Sequence, residues 1–122
     1  MASVDVVFSP AEPLPRADCW LVVDLLRAST TIVAFFECGG RCLLPAATVD
    51  EARDLKRRLP GRWLLMGERD ALPPEGFDLG NSPLELASVD MTAFDGAVMT
   101  TTNGTRALLA AAERGGEIRV AC

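Results

Sequence analysis

GAVMTTTNGTRALLAAAERGG, residues 96–116, shows the unit from which the whole chain is built. It begins with an apolar run typical of a buried strand, and Leu108, Leu109 and Ala112 then recur at helical spacing. Gly115-Gly116 ends the predicted helix. A strand that leads directly into a helix, with another strand to follow, indicates a unit of a parallel α/β sheet.

The same alternation continues along the chain. Cys19-Trp20-Leu21-Val22-Val23 is a continuous apolar run, which predicts a strand buried on both faces of a parallel sheet. Further strands are predicted at residues 4–8, 42–45, 62–66 and 117–122. Helix starts are predicted where hydroxyl groups can cap them, at Ser29-Thr30-Thr31, Thr48 and Ser82. We therefore predict one α/β domain, residues 1–122, with a mainly parallel sheet and helices on both faces (three-layer α/β/α).

Composition and charge argue against several classes of protein. The 122-residue chain is 49% hydrophobic and has a net charge of −5, which is ordinary for a globular domain. No basic run stands out, so neither nucleic acid nor an anionic membrane surface is expected as a partner. No apolar run approaches the length of a membrane span and no signal peptide is evident, so we expect a cytoplasmic protein with reduced cysteines.

The chain contains no histidine. A histidine general base, a phosphohistidine and histidine metal ligands are therefore excluded for this chain. Any chemistry must use carboxylates, hydroxyl groups and arginines, together with a metal ion that prefers oxygen ligands.

Polar side chains cluster where three predicted strands end: at residues 24–31, at Glu68 and Arg69, and at residues 101–105. Ligands of parallel sheets bind outside the carboxyl ends of the strands, so we expect these clusters to share one face. Thr101-Thr102-Asn103-Gly104-Thr105 suits an oxyanion at a helix N-terminus, and equally an ordinary helix cap. It lacks the lysine and the glycine spacing of a P-loop.

The ionic side chains at these strand ends suggest a phosphate site with a metal ion. Arg27 can bind phosphate or sulfonate through the hydrogen-bond donors of its planar guanidinium, or it can form an ion pair with Asp24 instead. Asp24, Glu68 and Asp78 are the carboxylates best placed to share Mg²⁺, although each could also cap a helix or pair with a cation. Residues 67–83, rich in proline and glycine and without a regular period, are typical of an active-site loop.

Four motifs in fixed order carry a resemblance to a known family. They are Asp24-Leu25-Leu26-Arg27-Ala28-Ser29-Thr30-Thr31-Ile32, Gly67-Glu68-Arg69, Glu75-Gly76-Phe77-Asp78-Leu79-Gly80-Asn81-Ser82-Pro83 and Thr100-Thr101-Thr102-Asn103-Gly104-Thr105-Arg106-Ala107. With them the chain resembles the N-terminal part of the 2-phosphosulfolactate phosphatase (ComB-like) family. The motifs span essentially the whole chain, and the run that contains Asp78 and Asn81 is the most specific of them.

The resemblance implies a Mg²⁺-dependent phosphatase that hydrolyses 2-phospho-3-sulfolactate to 3-sulfolactate and phosphate, a step of coenzyme M biosynthesis. On chemical grounds, the matching positions Asp24, Glu68 and Asp78 would hold the metal or activate water. Other residues of the same motifs would bind the phosphorylated, anionic substrate or shape its pocket. They are Arg27, Ser29, Thr30, Arg69, Asn81, Ser82, Thr101, Thr102, Asn103, Gly104 and Thr105.

Two further expectations follow from the resemblance. Members of the family extend past the point that corresponds to Cys122, so part of the sheet would be missing and an unpaired strand edge would favour a homo-oligomer. The alternatives are an inactive or partial domain that binds phosphate or takes part in assembly, and an aspartyl-phosphate mechanism at Asp24. The latter is disfavoured because Leu26 occupies the position where haloacid-dehalogenase phosphatases need a second aspartate.

Overall fold

A computed structural model describes residues 2–122. The elements alternate between strand and helix: β1 (Cys19–Val23), α1 (Ala28–Glu37), β2 (Leu43–Pro45), α2 (Val49–Arg58), β3 (Trp63–Gly67), α3 (Pro83–Leu86), a 3-10 turn (Met91–Ala93), β4 (Gly96–Thr100), α4 (Gly104–Arg114) and β5 (Glu117–Ala121). Within this range no helix has the length and hydrophobicity that crossing a membrane would require.

All strand pairs are parallel, as the sequence predicted. β4 lies between β2 and β3, with Val98 opposite Leu44 on one side and Leu65 on the other. β1 and β5 form a separate pair in which Leu21 lies opposite Arg119. Parallel strands require crossover connections, and the helices supply them.

Helices cover both faces of the three-stranded sheet. Successive side chains of a strand point to opposite faces, so Met66 and Met99 pack in one core with residues of α1, α3 and α4. Leu65 and Val98, one residue earlier on each strand, pack in a second core with Ala52 of α2. The predicted three-layer arrangement is confirmed for this sheet.

Two strand predictions are wrong. Residues 4–8 do not form a strand, and Val4, Val6 and Phe8 lie exposed, because no strand within residues 2–122 pairs with them. β1 is not buried on both faces, since the side chains of Leu21 and Val23 point to solvent. A continuous apolar run indicates what a strand can bury, whereas the neighbouring elements decide what it does bury.

The predicted helix caps have mixed outcomes. At α2, the Glu51 N–H donates to Thr48 Oγ1 at 3.1 Å, and this cap is confirmed. At α1 the prediction is wrong: Arg27 occupies the N-cap, and the hydroxyl-bearing residues that follow lie inside the helix. Ser82 is the N-cap of α3 as predicted, but its side chain makes no capping bond.

Candidate active site

The N-termini of α1 and α4 lie against each other. Gly104 begins α4 and packs directly on Ala28, the first residue of α1, so that a Cβ at position 104 would clash with the Ala28 Cβ. The first N–H groups of a helix have no acceptor within the helix, and the helix dipole makes that end positive. The two adjoining helix ends therefore attract an anion to one place.

Asp24 lies at this junction of helix ends. The Asp24 N–H donates to Ser29 Oγ at 2.6 Å and the Ser29 N–H donates to the Asp24 carbonyl at 2.9 Å, which fixes the turn between β1 and α1. The Asp24 Oδ2 lies 3.2 Å from where a Cβ on Gly104 would stand. No donor within residues 2–122 bonds to the Asp24 carboxylate, so its oxygens are available to a ligand.

The hydroxyl groups of Thr101 and Thr105 build the turn between β4 and α4 rather than projecting from it. Thr101 Oγ1 accepts from the Thr105 N–H at 3.0 Å, and Thr105 Oγ1 accepts from the Thr101 N–H at 2.9 Å. Both side chains are buried, whereas Thr102 and Asn103 lie exposed at the tip. The N–H groups of Thr101 and Thr105 are thus used within the turn, and Asn103 and Gly104 form the part of it that can meet a ligand.

Glu68 is tied to the same turn. Its Oε1 accepts from the Thr102 N–H at 2.6 Å, and its Oε2 accepts from the Thr102 hydroxyl at 3.0 Å and from the Ala71 N–H at 3.2 Å. Partial burial acts to raise the pKa of Glu68, but these hydrogen bonds and the charge of Arg69 outweigh it and hold the pKa below the ordinary 4.5. With both oxygens engaged, Glu68 positions the turn.

We expect Glu68→Gln to lower the free energy of unfolding by about 1–3 kcal/mol at neutral pH, because the amide nitrogen of glutamine would face an N–H donor. A depressed pKa stabilises the fold above the unfolded-state pKa, and this contribution disappears as the pH falls through the folded-state value. The difference from wild type should therefore shrink below about pH 4.5. Urea unfolding at several pH values measures it.

Glu75→Gln is the matched control, since the Glu75 carboxylate accepts no hydrogen bond from residues 2–122. That variant should have the same free energy of unfolding as wild type at neutral pH. If the free energy of unfolding of Glu68→Gln followed the wild-type pH profile, the proposed role of Glu68 in holding the turn would be refuted.

Arg69 serves the structure around Glu68 instead of pointing to a ligand. Its guanidinium donates to the carbonyls of Glu68 and Ala47 and to Thr100 Oγ1, all at 2.7–2.8 Å. These three bonds join the ends of β3 and β4 to the loop before α2. The predicted role of Arg69 in phosphate binding is not supported by this arrangement.

Asp78 lies on the opposite side of β3 from the helix junction. Its Oδ2 accepts from the Leu65 N–H at 2.7 Å and from Lys56 of α2 at 3.2 Å, which fastens the 67–83 loop to the sheet. Within residues 2–122 no three acidic or thiol groups come together as a metal cluster. The structure therefore does not gather Asp24, Glu68 and Asp78 into the predicted shared metal site.

The remaining predicted residues divide into one free cation and several structural groups. Arg27 is exposed at the start of α1 and forms no ion pair with any part of the chain that the structure describes. The Thr30 hydroxyl donates to the Leu25 carbonyl at 2.8 Å. Asn81 is buried with its Oδ1 unpartnered, and Ser82 begins α3. Only Arg27 among these is free to meet an anion.

A cavity of about 470 Å³ opens at the helix junction. Asp24, Asn103 and Gly104 line its polar end. Mg²⁺ is often held by one or two carboxylates, with water and substrate phosphate completing the shell, so Asp24 alone fits as the protein ligand. The start of α4, which lines the cavity with Asn103 and Gly104, would meet the phosphate oxygens in the same place.

Sequence reasoning missed the packing of Ala28 on Gly104. The available signal was a pair of small residues, one at each of two predicted helix starts that follow predicted strands. This signal is informative only if the two strands bring their carboxyl ends together. No local sequence pattern shows whether they do.

Comparisons with known proteins agree on one family. Residues 8–122 match the family described as 2-phosphosulpholactate phosphatase. A probable 2-phosphosulfolactate phosphatase of Pseudothermotoga lettingae is 44% identical over 105 residues, covering 86% of this chain and 44% of the relative. One of Thermus thermophilus is 44% identical over 109 residues (89% and 44%), and one of Caldicellulosiruptor saccharolyticus is 50% identical over 90 residues (72% and 36%). The chain thus spans less than half the length of these relatives.

Proposed function

This chain belongs to the 2-phosphosulpholactate phosphatase family, and from that premise we propose that the junction of α1 and α4 is a phosphatase site. The proposed substrate is 2-phospho-3-sulfolactate or a related phosphorylated hydroxy acid, and the products are the free hydroxy acid and phosphate. With the named substrate, the reaction is a step of coenzyme M biosynthesis in the cytoplasm.

One observation carries the proposal: two helix N-termini converge on a carboxylate with free oxygens. The Ala28–Gly104 contact brings the helix ends together, and Asp24 Oδ2 lies beside them. An anion is attracted by the helix ends and repelled by Asp24, so a phosphate and Asp24 need a cation between them. This is the situation in which Mg²⁺ is used on phosphate esters.

Each group then has a role that its position supports. The N–H groups that remain free at the starts of α1 and α4 bind phosphoryl oxygens, and Arg27, exposed at the start of α1, adds positive charge nearby. Asp24 is the metal ligand, and bound Mg²⁺ would supply charge stabilisation for the departing group. Glu68 holds the 101–105 turn in place through Thr102.

A second function has an observation in its favour. Because the oxygens of Glu68 are engaged and Asp78 lies elsewhere, only one of the three predicted carboxylates is free at the junction. A domain that binds phosphate without turning it over would need no more than this.

Phosphate release from 2-phosphosulfolactate and from other phosphorylated hydroxy acids, with Mg²⁺ and with EDTA, tests the proposal. We expect release that requires Mg²⁺, because the carboxylate and phosphate repel each other without it. Binding of phosphate in calorimetry without any release would establish the binding function instead. A folded chain that neither releases nor binds phosphate would refute both.

A further inference from the structure

One edge and one face of β1 are uncovered. β1 pairs with β5 along one edge, and no strand within residues 2–122 pairs with its other edge. On its outer face Leu21 is 62% exposed and Val23 is 55% exposed. Parallel sheets occur almost only with both faces covered, and an open edge presents unpaired N–H and C=O groups. β1 therefore has the features of a strand that lacks a neighbour.

A groove lined by both apolar and polar groups continues from this edge to the candidate active site. The cavity that begins at Asp24 runs between β1 and α4 as far as Trp20 and Ala111. The segment before β1 forms its outer wall with Phe8 and Leu14, and Phe8 is 90% exposed. Leu21, Val23 and Phe8 are exposed apolar side chains beside an unpaired strand edge, and such a combination marks an interaction site.

A second copy of this chain is a poor match for the edge. β1 is flanked by Asp18 and Asp24, which stand at equal distances from Leu21. Antiparallel self-pairing about Leu21 would place Asp18 of each copy opposite Asp24 of the other, and like charges directly opposite are destabilising. Parallel self-pairing is not compatible with a closed two-fold dimer. The edge suits a strand of different sequence.

The family relatives indicate where such a strand comes from. Each of the relatives named above contains the part matched by this chain, and more than half of each lies outside the match. We propose that the open edge of β1 and the groove beside it bind a β-strand of a polypeptide corresponding to the unmatched part of these relatives. The strand adds in parallel to β1, and its crossover helix covers Leu21 and Val23.

Co-expression tests the proposal. The 122-residue chain is produced with a tagged polypeptide that contains only the unmatched part of the Pseudothermotoga lettingae relative. We expect a one-to-one complex in size-exclusion chromatography with light scattering, and at least about tenfold slower hydrogen exchange at β1 amides, because an added strand closes the edge. The readout is binding, so it is independent of phosphate release.

Leu21→Lys and Leu84→Lys are the matched variants. Leu84 lies on α3 and is 86% exposed, so both replacements put a charge at a solvent-facing leucine. Leu21→Lys should weaken the complex at least about tenfold, because the charge would be buried at the interface. Leu84→Lys should bind like wild type. Equal affinity of the two variants would overturn the proposal.

The intact relative provides a second measurement in case the tagged polypeptide does not fold by itself. Hydroxyl-radical labelling compares the positions of the relative aligned with Leu21, Val23 and Phe8 with the same positions in this chain. The relative should be protected at these positions and this chain should be reactive. Equal reactivity, or a homodimer of this chain whose β1 amides are protected, would refute the proposal.

Discussion

Asp24→Asn is expected to reduce Mg²⁺-dependent phosphate release by about 10²- to 10⁴-fold, because the Mg²⁺ that Asp24 would hold contributes several kcal/mol of charge stabilisation. The turn around Asp24 is held by its backbone N–H and carbonyl, both bonded to Ser29, so the fold should remain. Asparagine keeps the shape of the side chain, removes its charge and replaces one carboxylate oxygen by an NH₂ donor. Initial rates with saturating Mg²⁺, together with the melting temperature, measure the effect.

The same variant should respond in the opposite direction when Mg²⁺ is absent. Asp24 lies beside two positive helix ends, so its charge repels a phosphate at that place. Without Mg²⁺, Asp24→Asn should therefore bind inorganic phosphate more tightly than wild type in calorimetry. A lower rate with Mg²⁺ together with a higher phosphate affinity without Mg²⁺ distinguishes a carboxylate that binds the metal from one that only supports the structure.

Asp18→Asn is the matched control, because Asp18 is an exposed aspartate at the other end of β1. It should leave the rate and the phosphate affinity unchanged. If the Asp24→Asn variant kept the wild-type rate, Asp24 would not belong to the site, and the proposed location of the phosphate would be wrong.

Gly67→Ala should destabilise the fold by about 3 kcal/mol, which combines left-handed backbone strain with overpacking. Gly67 ends β3 with φ of +136°, and a Cβ there would clash with the carbonyl oxygen of Thr100 on β4. The backbone of β4 cannot move away, because β2 holds its other edge. Urea unfolding at neutral pH gives the difference in free energy.

Gly76→Ala separates the two causes. Gly76 lies in the same loop with φ of +78°, and a Cβ there would have no heavy atom within 4 Å. That variant carries the backbone strain alone and should lose only about 1–2 kcal/mol. If both variants lost the same free energy of unfolding, the close approach of Gly67 to Thr100 would not account for any of the loss at Gly67.

The alternation of strands and helices along the chain and the parallel direction of the strands were predicted from the sequence, because the signals of the individual elements are local. The run Gly96 to Thr100 is apolar throughout and is followed by a polar turn, and β4 has those bounds and lies in the middle of its sheet. Residues 4–8 carried a strand pattern of the same kind and formed none. A strand exists only with a partner, and the pattern of one segment does not report whether a partner is present.

The candidate site was predicted in part. Asp24 and the 101–105 turn meet as expected, although β1 and β4 lie in separate sheets, because the starts of α1 and α4 pack on each other. Asp78 was expected there also, but its carboxylate is taken by Leu65 and Lys56, which lie 13 and 22 residues away along the chain. A carboxylate in a loop can reach several donors, and only the folded chain decides which of them is near.

The sequence by itself determined the α/β class, the parallel strands and the family, because these depend on runs of residue types and on motifs in fixed order. Tertiary structure decided which polar groups are free to act. It engaged Glu68 and Arg69 in hydrogen bonds and left Asp24 open at the contact of Ala28 with Gly104. The physical reason is that a hydrogen bond uses up a group's capacity to bind a ligand, and its partner is chosen by distance in space rather than along the chain.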